Sequence, residues 1–313
     1  MEKSNTKIVF FGTAEFAIPA LEALINAGYK ISAIVTKPDE LAGRNKALTP
    51  PPLKDFGQKL SIPVIQPAKL RGNSELFQEL RKLDSDIGIV AAYGKLIPQE
   101  ILDLPKHGFI NIHPSLLPKY RGPSPVQAAI LNGDPETGTS IMIVDEEMDH
   151  GPVLASERVA IGDKSFLELN TELWMLGAEL LVKTLPEYLI GKSEVTIQDD
   201  SLATYSEKIK TEDGEVAPDD NVEKTYNKIR ALNPDPGTYF WIENNGKRIR
   251  LKILDAEILA IDSDQTNGSL LAHDSMPVLK LKNGGLILKR VQPEGKKAMG
   301  GKDFLLGYRQ LFK

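Results

Sequence analysis

Within its first thirty-six residues the chain alternates between strand and helix patterns, and this alternation constrains the fold more than any other feature. Residues 7–11 (KIVFF) form a β-branched and aromatic run closed by Gly12-Thr13. Residues 14–27 place Phe16, Ala20, Leu24 and Ala27 at helical spacing, with Pro19 early and Gly28 as a natural stop. Residues 29–36 (YKISAIVT) read as a second strand. Strand, helix and strand in so short a span make a βαβ unit, which implies a parallel sheet.

The alternation breaks once and then resumes. Residues 37–54 (KPDELAGRNKALTPPPLK) hold four prolines, one glycine and four Lys/Arg, so an exposed, mobile loop is expected. Beyond it, 64–65, 86–92, 108–113, 139–144 and a stretch within 151–160 read as strands. Helices are expected over 72–83, 98–104, 124–132 and 165–190, the last with Leu167, Leu173, Leu176, Leu180 and Leu181 on its apolar face. Residues 191–223 lack a strong period and read as a linker plus an extended connection. From Thr238 onward the pattern changes to short alternating runs (TYFWI, RIRLKILDAEIL, GSLLA, PVLKLK, GGLILKRV) separated by Asn and Gly, which argue a small β-barrel. A length of 313 residues fits two domains. The expected organisation is an α/β, Rossmann-like domain over 1–190, a linker over 191–206 and a barrel domain over 207–313.

Charge divides the chain in the same place. Residues 1–223 carry 22 Lys+Arg against 34 Asp+Glu, a net of -12, whereas residues 224–313 carry 16 against 9, a net of +7. A basic C-terminal part suggests contact with a polyanion, although a solvated basic face explains the same numbers. Cysteine is absent, which removes disulfides and thiolate metal sites. The N-terminal apolar run is too short for a signal segment, and no stretch approaches the roughly 20 apolar residues of a membrane span, so a cytoplasmic protein without membrane contact is expected.

Several chemistries are disfavoured by what is present. The Phe11-Gly12-Thr13 turn lacks the further glycines of a dinucleotide fingerprint and the Gly-Lys-Ser/Thr of a P-loop. The four histidines, His107, His113, His150 and His273, form no His-x-x-x-His pair, so zinc catalysis is not expected and no metal is assigned. The informative stretch is Asn111-Ile112-His113-Pro114-Ser115-Leu116-Leu117-Pro118-Lys119-Tyr120-Arg121-Gly122-Pro123. Asn111 and His113 are two apart on a strand, hence on one face, at the strand end where open α/β sheets place ligands. An amide donor beside an imidazole suits acyl-type transfer: the amide can bond a developing oxyanion, and the imidazole can carry a proton. Asp149 is the natural group to orient the imidazole. On spacing alone, two polar residues that merely cap a strand end account for the pattern somewhat better.

Asn111-x-His113-Pro-Ser-Leu-Leu-Pro with Tyr120-Arg121-Gly122-Pro123, followed by Asp149-x-Gly151-Pro152, resembles the catalytic signature of 10-formyltetrahydrofolate-dependent formyltransferases. The spacing from Asn to His to Asp, two and then thirty-six residues, matches that family. The resemblance implies that Asn111 and His113 polarise the formyl carbonyl and stabilise the tetrahedral oxyanion. It implies that Asp149 holds His113 and relays protons through water, with 10-formyltetrahydrofolate as co-substrate. Tyr93, Lys95, Leu96 and Ile97, with Ser115, Leu116, Leu117 and Pro118, resemble the walls of the folate pocket.

Within the family, Phe10-Phe11-Gly12-Thr13-x-x-Phe16 and the loop Lys37-Pro38-Asp39 to Ala42-Gly43-Arg44 and Pro50 resemble the members whose acceptor is initiator methionyl-tRNA. That likeness implies tRNA contacts at Lys37, Arg44 and Lys46, with Arg44 the main cation. Glu40-Leu41 departs from the more basic or proline-rich loop of those members. Ile229-Arg230-Ala231-Leu232-Asn233-Pro234 and Gly237-Thr238 resemble the start of their OB-like barrel, and Gly307-Tyr308 its terminal helix. A monomer in translation initiation is the implied protein. Amino sugar nucleotide formyltransferases, formyltetrahydrofolate hydrolase domains and a catalytically inert RNA-binding relative remain alternatives. Lys119, His107 and His273 read as surface groups, His150 as a neighbour of the site and Trp174 as core.

Overall fold

The computed structural model describes residues 3–42, 47–244, 246–261 and 264–312. The chain divides into two compact units. The first contains Met1–Pro125, Thr137–Ala160 and Asn170–Ser206; the second contains Val126–Glu136, Ile161–Leu169 and Glu207–Lys313.

The strands of the first sheet are β1 (Lys7–Gly12), β2 (Lys30–Val35), β5 (Val64–Ile65), β6 (Ile87–Ala91), β7 (Phe109–His113), β8 (Glu136–Ile143) and β9 (Val153–Ala160), with β3 (Glu40–Ala42) and β4 (Ala47–Thr49) forming a separate ribbon. Their order across the sheet is β5-β2-β1-β6-β7-β8-β9. Pairing is parallel from β5 to β7, as the opening βαβ pattern predicts. It ends there: β8 is antiparallel to β7, with Ser140 opposite His113 and Ile143 opposite Ile110, because the chain re-enters beside the edge by which it left. Side chains alternate faces along each strand. Ile8 and Phe10 join one buried cluster with Ile34, Ile89 and Ile112, while Val9 and Phe11 join another with Val35 and Phe109. Each fully buried aliphatic or aromatic side chain contributes roughly 1.5–3 kcal/mol, so both faces of this sheet are committed to core.

Helices α1 (Ile18–Asn26), α2 (Pro52–Lys59), α3 (Ser74–Leu83), α4 (Gln99–Leu102), α5 (Pro125–Asn132) and α6 (Phe166–Leu189) follow in chain order. Trp174 on α6 is buried core, as expected, with its indole N–H on Asn170 Oδ1 at 3.1 Å. Two features of residues 37–54 differ from a structureless loop. Leu41 and Leu48 face each other across the β3–β4 ribbon, each 66% exposed. Helix α2 begins inside the proline run, because proline in the first helical turn forfeits only an N–H that has no partner there. Gly43, Arg44, Asn45 and Lys46 lie outside the described residues.

The second unit carries α7 (Val222–Leu232), then β10 (Thr238–Asn244), β11 (Lys247–Leu259), β12 (Leu270–His273), β13 (Met276–Leu281), β14 (Gly284–Pro293), β15 (Met299–Gly300) and α8 (Gly301–Gly307). The strands form an antiparallel half-barrel sheet in the order β10-β11-β14-β13-β12, with β15 on β14. Its core includes Leu251, Ile253, Leu279, Leu281, Leu286 and Phe304. The five runs expected as strands from Thr238 onward all pair in this sheet. No helix among the described residues is long and apolar enough to cross a membrane.

Candidate active site

Strand order reverses between β1 and β6: from β1 the chain first builds toward β2 and β5, then returns to β6 and β7. The carboxyl ends of these central strands meet at one sheet edge, where Gly12 pairs with Ala91 and Ala91 with Ile112. Such a switch point opens a crevice between diverging loops. Here the Thr13 N–H reaches the Ala92 carbonyl at 3.2 Å and the Thr13 hydroxyl reaches that of Tyr93 at 3.3 Å.

Asn111 and His113 stand at the end of β7. Asn111 is half-buried, and its carboxamide has no protein hydrogen-bond partner among the described residues. His113 is buried, and its Nε2 lies 2.9 Å from the Tyr120 carbonyl. A carbonyl only accepts, so Nε2 carries a proton and Nδ1 is the ring nitrogen left to act. Asp149 Oδ1 lies 3.6 Å from Nδ1, beyond hydrogen-bond range, while Oδ2 accepts the Gly122 N–H at 2.8 Å. Asp149 and Tyr120 both have left-handed backbones, φ 51° and φ 59°. Close packing also demands glycine two residues beyond each of them. A Cβ on Gly151 would collide with the Ile143 carbonyl, and one on Gly122, at φ 108°, would stand 2.6 Å from the Ser206 carbonyl.

The expected linker is part of this site's frame. Thr196 exchanges backbone hydrogen bonds with Val153, and residues 204–206 run beside 118–124: Arg121 N–H on Thr204 O at 2.9 Å, Ser206 N–H on Arg121 O at 2.7 Å. Arg121 is 2% exposed. Its guanidinium donates to Gln198 Oε1 (3.0 Å), Asp200 Oδ1 (2.7 Å) and the Tyr205 hydroxyl (3.3 Å). Burial works against its charge, but the bonds to Asp200 and Tyr205 outweigh that, and the net displacement of its pKa is upward. His150 bonds Asp145 at 2.7 Å, chiefly for which its imidazole is held above the ordinary value. Asp200 Oδ2 lies 3.6 Å from the other ring nitrogen.

The residues expected as pocket walls lie on the loops after β6 and β7. Burial pushes the Tyr93 phenol well above its ordinary range, and its ring stands edge-on to Phe11 at 5.2 Å. Ile97 is buried, Leu96 is 60% exposed, and Lys95 Nζ reaches the Ala68 carbonyl at 3.3 Å. Ser115 is fully buried, and its hydroxyl is committed to the Lys119 carbonyl at 2.6 Å; Leu116, Leu117 and Pro118 are half-buried beside it. Lys119 is exposed, as expected. Lys37 is half-buried, its Nζ against Gly94. The loop cation Lys54 is spent on Asp39 at 2.7 Å, where Gln66 also bonds. Arg44 and Lys46 lie outside the described residues.

A formyl transferase family model matches residues 6–185, and a formyl transferase C-terminal domain model matches residues 208–309. The chain belongs to the formyl transferase family. It is 41% identical to a methionyl-tRNA formyltransferase of Halalkalibacterium halodurans over 96% of this chain and 94% of that protein. To the enzyme of the same name from Thermodesulfovibrio yellowstonii it is 38% identical, over 97% and 96%. Among solved structures, an N-formyltransferase from Helicobacter canadensis in complex with folinic acid and dTDP-3-aminofucose has a TM-score of 0.68 at 17% identity, covering 90% of this chain and 98% of that one. HypX from Aquifex aeolicus in complex with tetrahydrofolic acid has a TM-score of 0.66 at 17% identity, covering 99% of this chain. The chain spans 49% of that HypX. At such identities the two structures share the fold. The sequence pattern missed the partners of Arg121: Gln198, Asp200 and Tyr205. The only available signal was the family motif around Arg121, since residues 196–206 carry no period.

Proposed function

We propose that the chain transfers the formyl group of 10-formyltetrahydrofolate to the α-amino group of initiator methionyl-tRNA. The observation that carries this reading is its 41% identity, over 96% of the chain, to a protein named for that acceptor. The placing of Asn111 and His113 two apart at the end of β7, with Asp149 Oδ1 3.6 Å from His113 Nδ1, supports the chemistry.

In the proposed reaction the acceptor nitrogen attacks the formyl carbon. The bond from that carbon to N10 of the folate breaks, N10 gains a proton and the acceptor nitrogen loses one. Asn111 donates its amide N–H to the carbonyl oxygen as charge develops there. His113, with Nε2 bonded to Tyr120, uses Nδ1 for the travelling proton, directly or through water, and Asp149 Oδ1 stabilises the imidazolium. Tyr93, Lys95, Leu96 and Ile97 with Leu116, Leu117 and Pro118 are assigned to the folate pocket, and Ser115 to shaping the second of those loops. Lys37, Arg44 and Lys46 are assigned to tRNA. The half-barrel is taken as OB-like and as a second tRNA contact, within a cytoplasmic, monomeric enzyme of translation initiation whose catalytic domain takes in residues 191–206, which frame the site instead of acting as a free linker, and whose tRNA-binding domain follows from 207.

The deciding experiment offers one folate donor to charged initiator tRNA, free methionine and an amino sugar nucleotide. Formylation of the charged tRNA, at least 100-fold above the others in kcat/KM, is expected. Preferential formylation of the sugar nucleotide, or release of formate without an acceptor, would replace this reading with one of its relatives.

A further inference from the structure

Asp149 keeps a left-handed backbone, a conformation uncommon for non-glycine residues though better tolerated by aspartate than by most. What ties this turn of backbone in place is Gln198. Its Nε2 donates to the Asp149 carbonyl at 2.9 Å and to the Gly151 carbonyl at 2.7 Å. Two carbonyls two residues apart, converging on one amide nitrogen, fix the peptides between them. Rotation at Asp149 would swing its carboxylate relative to both His113 Nδ1 and the Gly122 N–H. The far side of the carboxamide is also fixed, since Oε1 accepts from Arg121 Nε at 3.0 Å, and Arg121 is clamped in turn by Asp200. This partner set settles which end of the carboxamide is nitrogen: carbonyls need a donor, and a guanidinium needs an acceptor. Glutamate in its place would keep the arginine and face two carbonyls with oxygen; alanine would forgo every bond.

We infer that Gln198 is a positioning residue that sets the Asp149 carboxylate against His113 through the backbone of residues 149–151. The inference rests on the proposed role of Asp149. It explains why a segment without periodic pattern lies over the site: the segment carries one carboxamide and the acidic anchor of the arginine that orients it.

The test compares Gln198→Ala, Gln198→Glu and Asp149→Asn, and each Gln198 variant combined with Asp149→Asn, in single-turnover formyl transfer to charged initiator tRNA and in steady state. Both Gln198 variants should lower kcat by about 10-fold or more, with KM for folate and for tRNA within about three-fold, the signature of a loss confined to the transition state. In the Asp149→Asn background the same changes should cost less than about three-fold, because their effect passes through the missing carboxylate. Equal losses in the two backgrounds would mean that Gln198 only maintains the fold, and full activity in Gln198→Glu would exclude any role; either overturns the inference. Should Gln198→Ala fail to fold, Gln198→Glu is read alone, because it keeps the arginine contact. An undiminished Asp149→Asn would defeat the reading of Asp149 itself, whereas a crippled Asp149→Asn beside unaffected Gln198 variants would defeat only the present inference.

Discussion

The edge of the seven-stranded sheet and the face of the half-barrel solve opposite problems. At the sheet edge, His113 and Arg121 are buried and individually fixed, His113 between Tyr120 and Asp149 and Arg121 among Gln198, Asp200 and Tyr205. On the half-barrel, cations lie over rings and remain accessible: Arg248 over Trp241 at 4.5 Å and Arg250 over Tyr239 at 5.2 Å, with Lys247 exposed nearby. A site of the first kind stakes its activity on single atoms, whereas a surface of the second kind sums many weak, salt-screened attractions. Single substitutions should therefore be severe at one and mild at the other.

The comparison breaks first at β7. Asn111→Ala or His113→Ala should lower turnover by about 100-fold or more, the scale of removing one oxyanion donor, while folate affinity changes far less. Steady-state kinetics with equilibrium folate binding checks this, and near-normal turnover in either variant would remove the residue from its assigned role.

Next comes the half-barrel. Removing Arg248, Arg250 and Lys252 together should weaken tRNA binding and flatten its dependence on salt, by about 0.7 to 0.9 in log–log slope for each phosphate that is no longer neutralised. Any one of the three alone should do little. Charge substitution in the whole chain is the sharper instrument than truncation after Ser206. The second unit includes Val126–Glu136 and Ile161–Leu169, and Arg230 bonds the carbonyls of Gly162 and Lys164 at 2.7 and 3.0 Å, so truncation would strip those segments of the packing around them. An unchanged slope in the triple variant would reduce the basic face to solvated surface.

Smaller still is the loop. Arg44→Ala should weaken productive tRNA binding several-fold yet shift folding stability by about 0.5 kcal/mol or less, because residues 37–54 carry no apolar period that would need its side chain in a core. Trypsin should cut free enzyme there and be blocked by tRNA. Equal cleavage with and without saturating tRNA would separate this loop from tRNA recognition.

How far the sequence foretold these two regions follows from how each is encoded. Strands such as β1, β6 and β11 are written in local hydrophobic period, and the strands and long helices expected from it agree with the structure to within a few residues. Helix α7 escapes such a reading although Asn221 caps it and Val222, Thr225, Ile229 and Leu232 repeat at helical spacing; an acidic, polar approach obscures the pattern. Helix α2 is hidden by prolines that suit a first turn. Asn111 and His113 are readable because both lie on one strand and face one way. Gln198 is not, because its bonds to Asp149 and Gly151 span 49 and 47 residues of chain and leave no periodic trace.

The least effect is expected where the sheet edge most resembles the half-barrel, at His150, whose side chain is 36% exposed yet paired. Its hydrogen bond to Asp145 is the largest cause of an upward shift; burial opposes it, and the charges of Asp145, Glu147 and Asp200 add to it. A folded-state value above the unfolded one means that the folded protein binds the proton more tightly. The pair's contribution to stability is therefore fully present below the ordinary imidazole value of 6.5 and is lost as pH rises through the higher folded value. Solvent screening keeps it small. Asp145→Asn should lower the His150 titration midpoint seen by NMR and remove a slight decline in thermal stability as pH rises above 6.5. It should leave kcat near normal, since the bonds from Gln198 and Gly122 that hold Asp149 do not involve Asp145. A kcat that fell as far as in the β7 variants would show that this exposed pair is wired into the buried site, and the contrast between the two kinds of charge would no longer hold there.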